Sequence, residues 1–381
     1  MRNVPGLEAI YRDYKNKNVQ FLIIYKSIVH PGTNGIIDAF TKEERLMQLA
    51  LAKKRLGTTV PIVSDSLDGD IVKALKSAPN AEFVIDADGK VVYRKFWHDP
   101  AALRTYLEEH VGKVDNPTKV QDLNMKLVFP KAGAPRGLVK PLKLPGRMAI
   151  LKTAPELPQD ADTKTAAPPF FAKLLAEGDR KAMSGGKGKL YLGFYLDPVY
   201  QVHWNNPAGG LSFTIDDPND DTFEPVVGQT PKYEHEADVD PREFVIDFQA
   251  PSRGAKLRLT VRYTICDDNG KFCMPLEQHY SLEMRRKPGG ASRAGDWMLE
   301  LVGDPMSYDK DGNGLASRDE LPTGRAMIML LHYDRNHDEA IDKDEAALFY
   351  DMTRMKQGPK TPESRSGSSP GRRGADSSGG R

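Results

Sequence analysis

The sequence predicts a multidomain α+β chain, and three observations predict it. Residues 1–112 alternate apolar runs with amphipathic segments, residues 189–287 hold short alternating strands divided by turns, and residues 296–355 read as helices around acidic loops. At about 100–200 residues per domain, 381 residues leave room for two or three cores. A net charge of +1 supplies no global attraction to nucleic acid. No stretch approaches the ~20 apolar residues of a membrane span. The expectation is a chain with no nucleic-acid partner and no membrane insertion.

In the first part, Gln20-Phe21-Leu22-Ile23-Ile24-Tyr25 is a continuous apolar run, the pattern of a strand buried on both faces of a parallel sheet. Pro61-Ile62-Val63 and Glu82-Phe83-Val84-Ile85 repeat it, and the amphipathic stretches 42–56 and 70–76 read as crossover helices. Asp88-Gly89 marks a two-residue hairpin turn between 83–85 and 91–93. A last helix starts with Asp99 as cap and Pro100 at its first position, and runs through Leu103, Leu107 and Val111.

This order resembles a thioredoxin-like fold entered one strand late. The stretch 25–35, with His30-Pro31, resembles iodothyronine deiodinases and their bacterial relatives, and Pro79-Asn80-Ala81-Glu82-Phe83-Val84-Ile85-Asp86-Ala87-Asp88-Gly89-Lys90 resembles the loop and hairpin of peroxiredoxins. The resemblance implies a thioredoxin-like α/β domain over 1–112. It also implies a thiol or selenol nucleophile after a first strand, and no cysteine precedes Cys266. Two readings follow. Either Met1 is an internal or misassigned start, with a strand and a signal peptide upstream, or the domain is degenerate and kept for binding. His30 reads as a hydrogen-bonded loop residue or as a base, and Pro79 as a groove-shaping cis-proline or as a loop breaker.

Residues 113–188 are rich in Pro, Gly, Lys and Ala, so they read as a linker with short docked pieces, among them a helix over 169–177. In 189–287, Lys256-Leu257-Arg258-Leu259-Thr260-Val261-Arg262-Tyr263-Thr264-Ile265 alternates apolar and polar residues without error. Further strands are expected over 190–195, 200–204, 211–215, 244–248 and 279–284, which suggests an immunoglobulin-like sandwich. His203 and Trp204 read as turn and core packing, and Tyr233-Glu234-His235-Glu236 as an exposed loop with metal-capable side chains.

Leu196-Asp197-Pro198, His203-Trp204-Asn205-Asn206-Pro207 and the stretch from Cys266 to Cys273-Met274-Pro275-Leu276 resemble the N-terminal periplasmic domain of the thiol:disulfide interchange protein DsbD. The family uses its two cysteines to pass electrons to partner proteins. Here the Asn269-Gly270 turn could bring the two sulfurs within bonding distance. Cys266 and Cys273 are therefore a redox pair or a structural disulfide, and either implies an oxidising compartment, periplasmic or extracellular.

The sharpest signal is local. Asp309, Asp311 and Asn313 stand at positions 1, 3 and 5 of a twelve-residue EF-hand loop, with Gly314 at the sharp turn, Leu315 at 7, Ser317 at 9 and Glu320 at 12. A second loop places Asp334, Asn336, Asp338, Ala340, Asp342 and Glu345 at positions 1, 3, 5, 7, 9 and 12. Ca2+ takes six to eight hard oxygens, and this spacing wraps them around one centre. Glu339 replaces the turn glycine and must take φ > 0, which weakens the second loop. Ala316 opposite Ile341 predicts a poor pairing contact. One shared helix with Met327, Leu330 and Leu331 inward should join the loops, and Gly303-Asp304-Pro305 interrupts the helix entering the first. Residues 356–381 read as a disordered tail.

The expected function is that of a calcium-binding extracytoplasmic protein of thiol-redox ancestry, acting as a binding module for a protein partner, with a thiol-redox protein as one candidate. The alternative is a thiol:disulfide oxidoreductase relaying electrons through Cys266 and Cys273, its thioredoxin-like active-site motif upstream of the given start.

Overall fold

The computed structural model describes residues 3–346, apart from 29–30, 33–34, 77–79, 126–132, 141, 143, 145–147, 157–167, 217–222, 250–253, 288–303, 323–325, 335 and 337. The described chain is mostly β, dominated by one antiparallel sheet of eleven strands. This corrects the predicted fold class of a thioredoxin-like α/β domain, an immunoglobulin-like sandwich and a C-terminal helical EF-hand pair.

The N-terminal elements are α1 (Val4–Tyr14), β1 (Ile23–Tyr25), α2 (Lys42–Leu56), β2 (Ile62–Ser64), α3 (Asp70–Leu75), β3 (Glu82–Ile85), β4 (Val91–Lys95) and α4 (Pro100–His110). α2 starts with a full capping box, in which Thr41 accepts from the Glu44 N–H and Glu44 accepts from the Thr41 N–H. It ends at Gly57, in the left-handed conformation. α1 and α4 pack through Ile10, Tyr14, Leu103 and Leu107. Among the described residues the predicted thioredoxin-like sheet does not form. β1 pairs in parallel with β2, β3 pairs with β4 as a hairpin, and the two pairs remain separate two-stranded sheets. Without more neighbours these strands have no two buried faces, so Leu22 is 54% and Ile85 54% exposed despite the apolar run of sequence.

The large sheet comprises β5 (Met148–Glu156), β6 (Ala172–Asp179), β7 (Lys187–Leu196), β8 (Val202–Asn205), β9 (Ser212–Asp216), β10 (Phe223–Glu224), β11 (Val227–Gln229), β12 (Ala237–Asp238), β13 (Arg242–Gln249), β14 (Lys256–Asp267) and β15 (Cys273–Arg286). Its path runs β10-β13-β7-β6-β5-β15-β14-β8-β12, with β9 on β14 and β11 on β9. The sheet folds over on itself at β5. The first residues of β5 pair with β6 and the later ones with β15, so one strand serves both halves. Between the halves lies one core in which Phe194 of β7 meets Phe213 of β9 and Tyr280 of β15. The Tyr280 hydroxyl donates to the Ala172 carbonyl at 2.8 Å and stitches the halves together.

β5 and β6 correct the reading of 113–188 as a linker, since both are central strands. The helix expected over 169–177 is β6, buried along nearly its whole length. Alternate side chains face two different layers. Ala172, Leu174 and Ala176 enter the main core. On the opposite face, Leu175 packs with Ile37, Tyr191 and Tyr195, and Lys173 meets Glu44 of α2. The N-terminal elements thus cover the outer face of the sheet.

In the C-terminal region, β16 (Leu315–Ser317) pairs antiparallel with β17 (Ala340–Asp342), and α5 (Ala326–Tyr333) connects them. Among the described residues the predicted helical EF-hand pair is not seen. Pro305–Tyr308 forms a 3-10 turn in place of an entering helix, because Pro305 cannot continue one and Asp304 caps the turn by accepting from the Met306 N–H. Ala316, Leu321, Met329, Leu330, Tyr333, Ile341 and Ala346 form a separate small core. The side chains of Met327 and Leu331, and the whole tail 356–381, lie outside the described residues.

Candidate metal centre

Position 8 of each loop anchors the centre. Ala316 sits directly opposite Ile341 in the β16–β17 ladder, and both are fully buried. The expected poor contact is corrected, because Met306 and Tyr308 pack against the same cluster and occupy the space beside the small Ala316. An outer ion pair from Arg318 to Glu339, 3.2 Å, adds a second tie between the loops.

Each loop then folds its carboxylates inward by the same set of backbone bonds. At position 1, Asp309 accepts from the Gly314 N–H at 3.0 Å, and Asp334 accepts from the Glu339 N–H at 3.0 Å. At position 5, Asn313 accepts from the Leu315 N–H and Asp338 from the Ala340 N–H. At position 12, Glu320 accepts from the Ser317 N–H at 2.9 Å, and Glu345 accepts from the Asp342 N–H at 3.1 Å. Asp311 and Asn336, at position 3, accept from the N–H two residues on. The Ser317 hydroxyl, together with the Ser317 and Lys310 N–H groups, holds the Glu320 carboxyl down to about 2. It stays an oxygen-donating anion throughout the physiological range.

In the first loop the carboxylate oxygens of Asp309, Asp311 and Glu320 lie within 4.8 Å of one another. Such a cluster of hard oxygens suits a hard cation rather than a soft metal. Gly314 takes φ +88° and Glu339 takes φ +70° at the corresponding turn, so the second loop carries the backbone strain that a side chain there entails. The backbone carbonyls of Leu315 and Ala340 occupy position 7.

The other candidate residues fall elsewhere. Cys266 and Cys273 face each other across β14–β15 and are joined by a disulfide, S–S 2.00 Å. Cys266 is buried and Cys273 exposed. His235 and Tyr233 brace a buried structural cluster in which Arg242 binds both carboxylate oxygens of Asp238 and Tyr233 stacks on the guanidinium. His30 and Pro79 lie outside the described residues.

Two constellations had no sequence signal. Glu44, Lys173, Asp197 and Gln48 meet in the buried layer between α2 and the sheet, from segments far apart in the chain. His203 bonds to Asp268 at 2.8 Å beside the disulfide. Only pairing β8 with β14 would have brought His203 to light.

No protein-family model, curated protein or solved structure matches this chain. No helix among the described residues is long and apolar enough to cross a membrane.

Proposed function

We propose that this protein binds Ca2+ at its two C-terminal loops and acts outside the cytoplasm as a binding module. The observation that carries the reading is the repetition: two loops, 25 positions apart, turn oxygens inward through matching backbone bonds and join at position 8. Asp309, Asp311, Asn313, Leu315, Ser317 and Glu320 hold one ion, and Asp334, Asn336, Asp338, Ala340, Asp342 and Glu345 hold the other. The ion neutralises carboxylates that would otherwise repel one another, so binding stabilises the small core beneath the loops. The Cys266–Cys273 disulfide supports an oxidising compartment. Exposed apolar residues on and after the β3–β4 hairpin, Ile85, Val91, Val92, Phe96 and Trp97, support contact with a protein partner. Equilibrium dialysis tests the reading: the double substitution Asp309→Ala/Glu320→Ala should remove one bound Ca2+, and unchanged stoichiometry refutes the assignment.

A second reading has its own observation. The two sulfurs differ in access, Cys273 open to solvent and Cys266 covered. That asymmetry suits exchange with an incoming dithiol at one defined sulfur. Thiol titration against millimolar dithiothreitol separates an exchangeable bond from an inert one.

A further inference from the structure

Three neighbouring strands meet at the disulfide. β14 lies between β15 and β8, with Cys266 directly opposite Cys273 on one side and directly opposite His203 on the other. One residue earlier, Ile265 pairs with Trp204, and both point into the main core. Side chains alternate along a strand, so Cys266 and His203 together point to the opposite face. Directly opposed residues of an antiparallel pair hold their Cβ atoms roughly 4.5–5.5 Å apart. An imidazole therefore stands beside the covered sulfur of an asymmetric disulfide.

The ring is held in place. Its Nδ1 faces Asp268 Oδ1 at 2.8 Å, and the other Asp268 oxygen accepts from the Gly133 N–H at 2.9 Å. A carboxylate only accepts, so Nδ1 carries the proton and Nε2 is the nitrogen left to exchange one. Two other charged groups, Asp267 and Arg136, lie close to this site. Asp267 accepts from the N–H groups of Asn269 and Lys271. The Arg136 guanidinium lies in the field of Asp268 and Asp240.

We infer that His203, oriented by Asp268, is the proton donor to Cys266 when the Cys266–Cys273 disulfide is reduced by a dithiol protein. The inference rests on the exchange reading given above. The thiolate of the incoming dithiol attacks the exposed Cys273 sulfur. The Cys266–Cys273 bond breaks, a mixed disulfide to Cys273 forms, and the electron pair leaves on Cys266. The imidazolium Nε2–H gives its proton to that sulfur, while Asp268 holds the ring through Nδ1. The second thiol of the partner then closes on its own sulfur, leaving Cys273 as a thiol and the partner as a disulfide. Two electrons pass from partner to chain. Asp268 is a positioning residue that acts through the ring.

The test is the reduction rate of the full-length chain by dithiothreitol as a function of pH, divided by the reagent's thiolate fraction. For the wild type this normalised rate should be about tenfold higher at about pH 5.5 than at about pH 8. His203→Gln should give a flat profile, about tenfold slower at the acid end. Asp268→Asn, which keeps the ring but loosens its hold, should slow the acid-end rate and leave the rate at about pH 8 unchanged. A His203→Gln profile that matches the wild type overturns the inference while leaving the exchange reading standing. A native disulfide that resists dithiothreitol while the urea-unfolded chain is reduced overturns the exchange reading, and the inference falls with it.

Discussion

The layer between α2 and the sheet carries a buried ion pair whose removal can be predicted in both sign and size. Lys173 and Glu44 form an ion pair with side chains 0% and 4% exposed. Lys173 also lies 4.3 Å from the Phe40 ring centroid. Glu44 has two jobs. One oxygen accepts from the N–H groups of Phe40 and Thr41 and so starts α2, while the other meets Lys173 and the Tyr200 hydroxyl, 2.6 Å. Burial works against charge on Glu44, but Lys173, Tyr200 and the Phe40 N–H outweigh it and hold the carboxyl below its ordinary value. Lys173→Met keeps the aliphatic stem and leaves that carboxylate buried among neutral donors. Breaking such a pair costs about 3–5 kcal/mol, and we expect about 3 because those donors remain. Glu44→Gln should cost less, about 2 kcal/mol, because Asp197 remains to face the ammonium. The double variant keeps a Gln that can still serve the cap and leaves buried Asp197 to Gln48 and the Val199 N–H, so it should lose clearly less than the sum of the two single changes. Urea unfolding followed by far-ultraviolet circular dichroism reads all three. Single variants within about 1 kcal/mol of the wild type, or a double variant that loses the sum of the two, would refute the reasoning.

Further predictions follow the same physics. Glu8 is fully buried, and the Thr59 hydroxyl and N–H, the Thr58 hydroxyl and Arg12 overcome the burial penalty to hold its carboxyl below 4.5. Its stabilisation is complete above that value and is lost as pH falls through the lowered one. Glu8→Gln should therefore cost about 2 kcal/mol at pH 7 and flatten the acid limb of a stability–pH curve. Glu339→Gly should relieve the φ +70° strain, worth about 1 kcal/mol, and tighten Ca2+ at the second loop about fivefold despite losing the exposed Arg318 contact, as calorimetry can report. Ca2+ at about 100 times its Kd should protect the C-terminal region by about 2.7 kcal/mol per site, read as slower proteolysis there than in excess chelator.

The candidate site was legible because its information is local. Twelve consecutive residues specify which oxygens converge, and the spacing from Asp309 to Glu320 needs no tertiary contact to be read. β14 was legible for a related reason. Its face on the core and its face on solvent alternate, so 256–265 announced a strand that the structure extends to Lys256–Asp267. β6 hid because both of its faces are covered. Ala172, Lys173, Leu174, Leu175, Ala176 and Glu177 show no period of two and include several helix formers, so a helix after Pro168-Pro169 was the natural reading. The same ambiguity misled in the opposite direction at 20–25, where an apolar run suggested two-sided burial and the strand has a single neighbour. His203 and Lys173 were invisible as site residues because their partners lie 65 and more positions away.

The central claim is that the two loops are calcium sites, and calorimetric titration of Ca2+ into the chelator-stripped full chain tests it most directly. The account predicts two ions per chain, the first loop tighter than the second, with dissociation constants at or below about 1 mM. A titration with no binding heat up to about 10 mM Ca2+, tenfold above that limit, or a stoichiometry unchanged when Asp309 and Glu320 are both replaced by Ala, would contradict it.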